Sequence, residues 1–414
     1  MRLIITLISK IANHVFSFFK AKKNMKNISF LIGSGFSVPA GYPTTSEMNQ
    51  RLGSINMSEI CIHTNGDAWF LNGDVDQNAD HMKVNERRFV QEFLEFYNRD
   101  ILNGNEGFHY ETFYDYYRKF IDGQEYTEDL NTFLTEFRET NGDDHNILYE
   151  FHLTFVQLIQ QLLEKDLERG HLAKPYHPNY STFLLLVESL ANTHQIHFHS
   201  LNHDLYLEHL SISDCMQGKL DDGFEELGSP YYGKLYRKYE KYFVRLPKFT
   251  NKYVSKFCLY KLHGSIDHYW YKNANALDLI KLKREISQID LYKEEGTDDN
   301  LRYVNDPTNY IPDFLTGVNS KVGRYVEGKY YPRMMEYFES NLKNSNTLIV
   351  IGYGFSDVKI NEVIDEFSND DQKVIFIVGL EKPQTDLLQR FNIHFLGGGV
   401  SGMDKEYILS NIKY

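Results

Sequence analysis

The chain has 414 residues, 42% hydrophobic and 24% charged, with 30 Tyr, 29 Phe and 2 Trp against only 10 Pro. Such a mixture belongs to a globular protein with room for two or three domains, and it excludes wholesale disorder and collagen-like structure. A formal charge of −13 excludes a general phosphate-backbone binder unless the basic residues gather in one place, and three scattered cysteines, Cys61, Cys215 and Cys258, supply neither a C-x-x-C metal pair nor a disulfide framework.

No apolar stretch is long enough to span a bilayer, so the expectation is a cytoplasmic protein without a transmembrane segment. Residues 1–24 read as an N-terminal amphipathic helix. Leu3 to Phe19 is apolar except for Thr6, Lys10, Asn13 and Ser17, whose alternating four- and three-residue spacing forms one polar stripe. Lys10 inside the apolar run and the lack of a small-residue cleavage site argue against a secretory signal. An oligomerisation helix, or an accessory preceding a start at Met25, is preferred over an interfacial helix.

Residues 25–53 open an α/β core. NISFLIG, from Asn27 to Gly33, is the β-branched and aromatic run of a buried parallel strand entering a glycine-rich turn. The turn carries Gly33, Ser34, Gly35, Ser37 and Pro43 and leads to a helix capped by Thr45 or Ser46. Residues 54–180 form a helical insertion, because RRFVQEFLEFYNRDIL, TEDLNTFLTEFRET and ILYEFHLTFVQLIQQLLEKDLERG space their apolar residues helically. The core resumes over 181–212, with a helix near Ser181 to Asn192 and a strand, QIHFHSL, that ends at Asn202, His203 and Asp204. Residues 213–255 read as a small basic, aromatic module. Residues 256–414 complete the core around an insertion at about 272–325. There FCLYKL runs into His263-Gly264-Ser265, TLIVIGYGFSD precedes a helix from about Val358, and KVIFIVGL and NIHFLGG add strands. This alternation predicts a doubly wound, Rossmann-like parallel sheet with right-handed crossovers, a large helical insertion and a small second module.

In an open parallel sheet, ligands sit beyond the carboxyl ends of the strands, where backbone N–H groups and helix N-termini converge. Four groups fall there: Gly33, Ser34, Gly35 and Ser37; Asn202 and Asp204; His263 and Gly264; and Gly352, Gly354 and Ser356. The first turn suits a pyrophosphate and the last suits the adenosine or phosphate side of the same ligand, although strand-to-helix turns also need glycine for geometry alone. Asp357 reads as the cap of the helix after it, and Glu381 as either a ribose ligand or a solvated carboxylate. A hydride-transferring dehydrogenase is disfavoured. The first motif is G-x-G-x-S rather than G-x-G-x-x-G, and no second strand brings an acidic ribose ligand about 20 residues later.

The segments IGSGFSVPAGYPTTSEM, SLNHD, DDGF (Asp221 to Phe224), LYKLHGSIDHYWY and IVIGYGFSD stand in the order found in sirtuin-like proteins, and the chain most resembles the bacterial antiphage branch that hydrolyses NAD. The resemblance runs from Ile28 to the C-terminus, apart from most of the helical insertion. It implies that the turn of Gly33, Gly35 and Ser37 holds NAD, that Asn202 positions the nicotinamide ribose or a water, and that His263 is the catalytic base. Ser34, Pro43, Gly352, Gly354 and Ser356 join them as candidate NAD-binding residues. NAD is the substrate, with no further cofactor and no metal. The resemblance also implies a homo-oligomer, or a partner such as a translocase-type ATPase or a phage-derived activator. Two departures speak against deacetylation: the four-cysteine zinc module of deacetylases is missing, and Thr44, Thr45 and Ser46 stand where those enzymes carry Asp-Phe-Arg.

The chemistry has its own logic. Nicotinamide leaves NAD as a neutral group from a cationic one and needs no strong acid, so the barrier lies in an oxocarbenium-like ribosyl state. An amide such as Asn202 positions a hydroxyl or water without adding charge, and a histidine accepts its proton near neutral pH. Asp204 either orients the site or caps the following helix. The expected activity is therefore an NAD glycohydrolase that depletes cellular NAD as an antiphage effector; the alternative is a non-catalytic module that senses NAD or ADP-ribose. Two further features compete for attention. His194, His197, His199 and His203 are clustered, but a metal there is disfavoured. The basic and aromatic stretch from Lys234 to Lys256 suits nucleic acid, phosphate or an acidic partner as well as a solvated face, and the question of nucleic acid stays open.

Overall fold

The computed structural model describes residues 25–64, 66–71, 83–103, 107–138, 143–164, 178–237, 240–273, 276–282, 286, 290–297, 300–305, 310–314, 330–390 and 392–412. The helix expected over residues 1–24 lies outside the described residues, as does much of the stretch 272–325.

The central sheet contains β1 (Lys26–Ile32), β2 (His194–Ser200), β3 (Leu220–Asp221), β4 (Phe257–Lys261), β5 (Ser345–Ile351), β6 (Val374–Val378) and β7 (Ile393–Leu396). They lie in the order β7-β6-β5-β1-β2-β4-β3, with every pairing parallel. The helices are α1 (Thr45–Gly53), α2 (Val84–Phe96), α3 (Tyr110–Ile121), α4 (Glu128–Thr135), α5 (Asp144–Leu163), α6 (Ser181–Ala191), α7 (Tyr206–Leu210), α8 (Tyr330–Lys343), α9 (Val358–Ser368) and α10 (Lys405–Asn411). Phe30 and Ile32 pack on one face of the sheet with Phe183 and Val187 of α6 and Ile408 of α10. Leu31, Leu348 and Val350 pack on the other with Phe338 of α8 and Ile364 of α9. Both faces are covered, which is why the strands read as continuous apolar runs rather than alternating ones. No helix among the described residues is long and apolar enough to cross a membrane.

The insertion has an aromatic core of its own. Phe89 and Phe93 of α2, Phe113 of α3 and Phe151 and Phe155 of α5 are buried together with Met48 and Leu52 of α1, so the insertion is anchored on the helix that follows the first glycine turn. Its helical spacing emerges as expected, but a short hairpin, Ile60–Ile62 with Ala68–Phe70, precedes the helices. Three-residue strands carry too little alternation to be read from sequence. Helix α1 begins at Thr45, so its cap lies one residue before Thr45 and two before Ser46, the two expected positions. Thr44 caps it in a reciprocal box with Glu47, whose carboxylate accepts the Thr44 N–H at 2.7 Å.

Two antiparallel sheets form the small module. One comprises Phe224–Glu225, Lys248–Phe249, Gly264–Asn273, Ala276–Lys281 and Tyr310–Phe314; the other comprises Tyr231–Arg237, Glu240–Arg245, Leu291–Glu295 and Arg302–Asn305. The module therefore interleaves strands from 224–249 with strands from 264–314 and does not close within 213–255. Leu220–Asp221, inside that stretch, pairs instead with Phe257–Cys258 as the edge of the parallel sheet.

Candidate functional site

From β1 the chain moves to β2 on one side, and it later returns to β5 on the other side of β1. The loops after β1 and β5 thus part at the topological switch point, where ligands bind in sheets of this kind. Here the two loops touch through their backbones. Gly33 donates its N–H to the Ile351 carbonyl and Gly35 to the Gly352 carbonyl, both at 2.9 Å. A Cβ at Gly33 would stand 2.6 Å from the Gly352 oxygen, and one at Gly352, where φ is +65°, only 2.3 Å from the Phe36 nitrogen. Close packing of the two loops therefore accounts for these glycines before any ligand does. Gly354 differs, because a Cβ there meets nothing within 4 Å.

A cleft of about 230 Å³ opens over the switch point. Gly33, Ser34, Ser37 and Pro43 line it from the first loop, Asn202 and Asp204 from the loop after β2, His263 from the turn after β4, and Gly352, Gly354 and Ser356 from the loop after β5. The structure brings together most of the residues singled out in the sequence; Gly35, which packs behind Gly352, and Gly264 are not among the cleft residues. Glu381 is exposed and is not among the cleft residues.

Each side chain has a local reason for its place. Asn202 donates through Nδ2 to the Ser37 Oγ at 3.1 Å, and both residues are buried. Asp204 accepts the Tyr206 N–H at 2.9 Å in a turn that leads into α7, whose N-cap position is Leu205, so it is not the cap of that helix, and its carboxylate remains at the cleft wall. His263 sits just before Gly264, whose φ of +75° turns the chain into the next strand. Backbone bonds from Leu262 to Ser200 and from Ile266 to His203 clamp this turn onto the Asn202 loop. The His263 Nε2 lies 3.3 Å from the Asp357 Oδ2.

Beneath the cleft lies a buried charge network that the sequence did not signal. Lys261, 2% exposed, reaches the Asp204 carbonyl at 2.5 Å and Glu208 at 3.3 Å. Burial pushes the Glu208 carboxyl up, against the pull of Lys261. Lys281 reaches Asp222 at 2.6 Å and Asp267 at 3.6 Å; burial works against its charge, but the two carboxylates outweigh it and hold the ammonium protonated. His268 is driven down to about 3, chiefly by burial. The DDGF segment is thus accounted for structurally: Asp222 holds Lys281, and Asp221 accepts the backbone N–H groups of Val254 and Ser255.

Of the clustered histidines, His197 and His199 are core residues, whereas His203 lines the cleft. His197 contacts the Tyr260 hydroxyl and the Asn27 side chain, each at 3.3 Å, and burial lowers it to about 4; His199 stacks on Tyr260 at 5.0 Å and is lowered further. No group of three or more His, Cys, Asp or Glu among the described residues is placed to hold a metal. The basic stretch is divided between the two antiparallel sheets, and Lys248 and Lys252 pair with Asp278 and Glu225 at 2.8 and 2.6 Å.

Sequence reasoning missed two contributions. His109, Tyr110 and Glu111, at the start of α3, line the cleft, so the insertion helps to build the site. Nothing in their spacing marks them; the Tyr110 N–H bond to the Asn49 side chain at 3.0 Å, together with the shared core of Met48, Leu52 and Phe113, hangs α3 on α1. Asp357 was legible as a cap but not as a neighbour of His263.

Residues 224–396 match the family model described as SIR2-like domain, a span that includes His263 and the loop from Gly352 to Asp357 but not Gly33 or Asn202. Over these residues, which are less than half of the chain, it is similar to SIR2-like domains. No curated protein matches it significantly. Among solved structures, a Sir2–p53 peptide–NAD+ complex is 12% identical, with 95% of this chain and 96% of that chain covered and a TM-score of 0.33. A structure described as showing the mechanism and regulation of Sir2 enzymes is 10% identical over 94% and 92%, with a TM-score of 0.38.

Proposed function

We propose that this protein hydrolyses NAD to nicotinamide and ADP-ribose. The observation that carries the proposal is the convergence of Asn202 and His263, from two separate strand ends, on one cleft at the switch point between two glycine loops. In that cleft the loop of Gly33 to Ser37 and the loop of Gly352 to Ser356 bind the dinucleotide, and the Ser37–Asn202 bond orients the carboxamide toward a ribose hydroxyl or water. The C1′–N bond breaks and nicotinamide leaves with its electron pair. The water oxygen bonds to C1′, and the water proton passes to His263. Asp204, on the same wall, adds negative charge near the cationic ribosyl state.

The decisive experiment follows nicotinamide release from NAD by the purified protein beside Asn202→Ala and His263→Ala, with circular dichroism to show that both variants fold. Release abolished in both supports the proposal, and full activity in both overturns it. Saturable NAD binding without release in any assembly state would favour the sensing role instead. The resemblance to antiphage enzymes extends the proposal to the cell: activity held low until infection, then depletion of NAD. Cellular NAD that stays level during phage challenge, in cells expressing the wild-type chain with its genomic neighbours, would remove that extension.

A further inference from the structure

We infer that Asp357 is a positioning residue for His263, fixing the imidazole proton on Nε2 so that Nδ1 is the nitrogen that accepts a proton. The inference rests on the hydrolase reading for its catalytic consequence, but its structural content stands without it.

A carboxylate only accepts hydrogen bonds, so a neutral imidazole nitrogen that faces one carries the hydrogen. His263 Nε2 faces the Asp357 Oδ2 at 3.3 Å, with the two side chains 6% and 12% exposed. Asp357 is itself held from several directions. Its N–H donates to the Tyr353 hydroxyl at 3.0 Å, and its Oδ1 accepts the Ile360 N–H at 3.1 Å as the cap of α9. Tyr353 donates in turn to the Asn361 side chain at 2.9 Å, and burial raises its phenol so that it keeps its proton. Asn361 also donates to the carbonyl of Phe355 at 2.8 Å. Phe355 has φ of +59°, a left-handed conformation costly for a bulky residue, and such strain persists only where surrounding bonds impose it. The whole turn from Tyr353 to Asn361 is thus braced.

Capping explains one oxygen of Asp357 and no more. Asn, Ser or Thr would cap α9 equally well, and none would set a second, anionic oxygen beside an imidazole. When His263 takes the proton from water or a ribose hydroxyl, the resulting imidazolium faces that carboxylate, which remains ionised throughout.

Asp357→Asn separates the two roles. Asparagine keeps the cap but can present an N–H to Nε2, which reverses the tautomer and places the hydrogen on Nδ1. In Asp–His pairs of this kind the Asp-to-Asn change lowers turnover by up to about 10⁴-fold. The expected result for the full-length variant is an unchanged melting temperature and a KM for NAD within a few-fold of wild type, with kcat down by about 10² to 10⁴. The ¹⁵N spectrum of His263, assigned by difference with His263→Ala and recorded where the ring is neutral, is expected to show the hydrogen on Nε2 in the wild type and on Nδ1 in Asp357→Asn. Asp357→Ala loses the cap as well and is expected to melt earlier. Wild-type kcat in Asp357→Asn, or a wild-type spectrum with the hydrogen on Nδ1, overturns the inference. If the wild-type protein releases no nicotinamide at all, the hydrolase reading fails while the spectrum still decides the tautomer.

Discussion

The side-chain nitrogen of Asn202 donates to the hydroxyl of Ser37 across 3.1 Å, joining the loops after β2 and β1 over a sequence separation of 165 residues. The bond lies inside the cleft and fixes which way the Asn202 carboxamide faces. Ser37→Ala is expected to lower the kcat for nicotinamide release by about 10- to 100-fold through loss of orientation, less than the loss in Asn202→Ala. Stability should fall by about 1 kcal/mol, the net worth of one buried hydrogen bond. Steady-state release and thermal unfolding measure the two quantities, and wild-type turnover in Ser37→Ala would show that something else orients Asn202.

The two glycines of the last loop should respond in opposite ways. Gly352→Ala places a Cβ at a φ of +65° and 2.3 Å from the Phe36 backbone, so strain and overlap together should cost about 2–5 kcal/mol. Gly354→Ala meets no protein atom within 4 Å and should leave the melting temperature nearly unchanged. Because Gly354 lines the cleft, its new methyl group should instead weaken NAD binding, which calorimetry reads directly. A stable Gly352→Ala protein would contradict the loop-packing account.

These examples show what kind of information the chain displays openly. Strands buried on both faces announce themselves as apolar runs, and each ends in the residue that reaches the site, so Ile32 leads to Gly33, Ser200 to Asn202 and Lys261 to His263 within two residues. The sheet and the candidate site were therefore legible together. What stayed hidden depends on contacts between segments distant in sequence. The pairing of Leu220–Asp221 with Phe257–Cys258 is too short to carry a period. The approach of Asp357 to His263 exists only because β5 and β4 flank β1 and β2 in the same sheet. His109 reaches the cleft because α3 is hung on Asn49, and no local pattern encodes that.

Acid should destabilise the fold through histidines buried in the neutral form. Burial lowers His268 to about 3 and His197 to about 4. Above the unfolded value of about 6.5 both states hold these rings neutral, and neither group affects stability. As pH falls below 6.5 the unfolded chain takes up protons that the folded chain refuses, so stability drops by up to about 1.4 kcal/mol per pH unit for each group, as far down as its folded value. Chemical denaturation at pH 7, 6 and 5 should show this slope. His268→Phe, whose ring can keep the contacts with Phe224 and Tyr330, should make it shallower. An unchanged slope would mean that His268 is not the proton acceptor.

Lys261 supports the site from below, and its removal should reveal how the buried charges depend on one another. Its ammonium holds the Asp204 carbonyl at 2.5 Å and forms an ion pair with Glu208, whose side chain is 17% exposed. Lys261→Met leaves that carboxylate without its counter-charge and should cost about 3–5 kcal/mol at neutral pH. The carboxyl of Glu208, already raised by burial, should rise further once the lysine is gone. A carboxyl whose folded value exceeds its unfolded one destabilises the fold increasingly as pH climbs from the unfolded value to the folded one, so the penalty should be smaller at pH 5 than at pH 8. Adding Glu208→Gln removes the stranded charge and should recover part of the loss, giving a coupling above about 1 kcal/mol in the double-mutant cycle. Activity should not recover to the same extent, because the Asp204 loop has still lost the ammonium that anchors its carbonyl. Full recovery of nicotinamide release in the double variant would show that Lys261 serves the charge balance alone and leaves the Asn202–Asp204 loop to be held by its backbone bonds to Leu262 and Ile266.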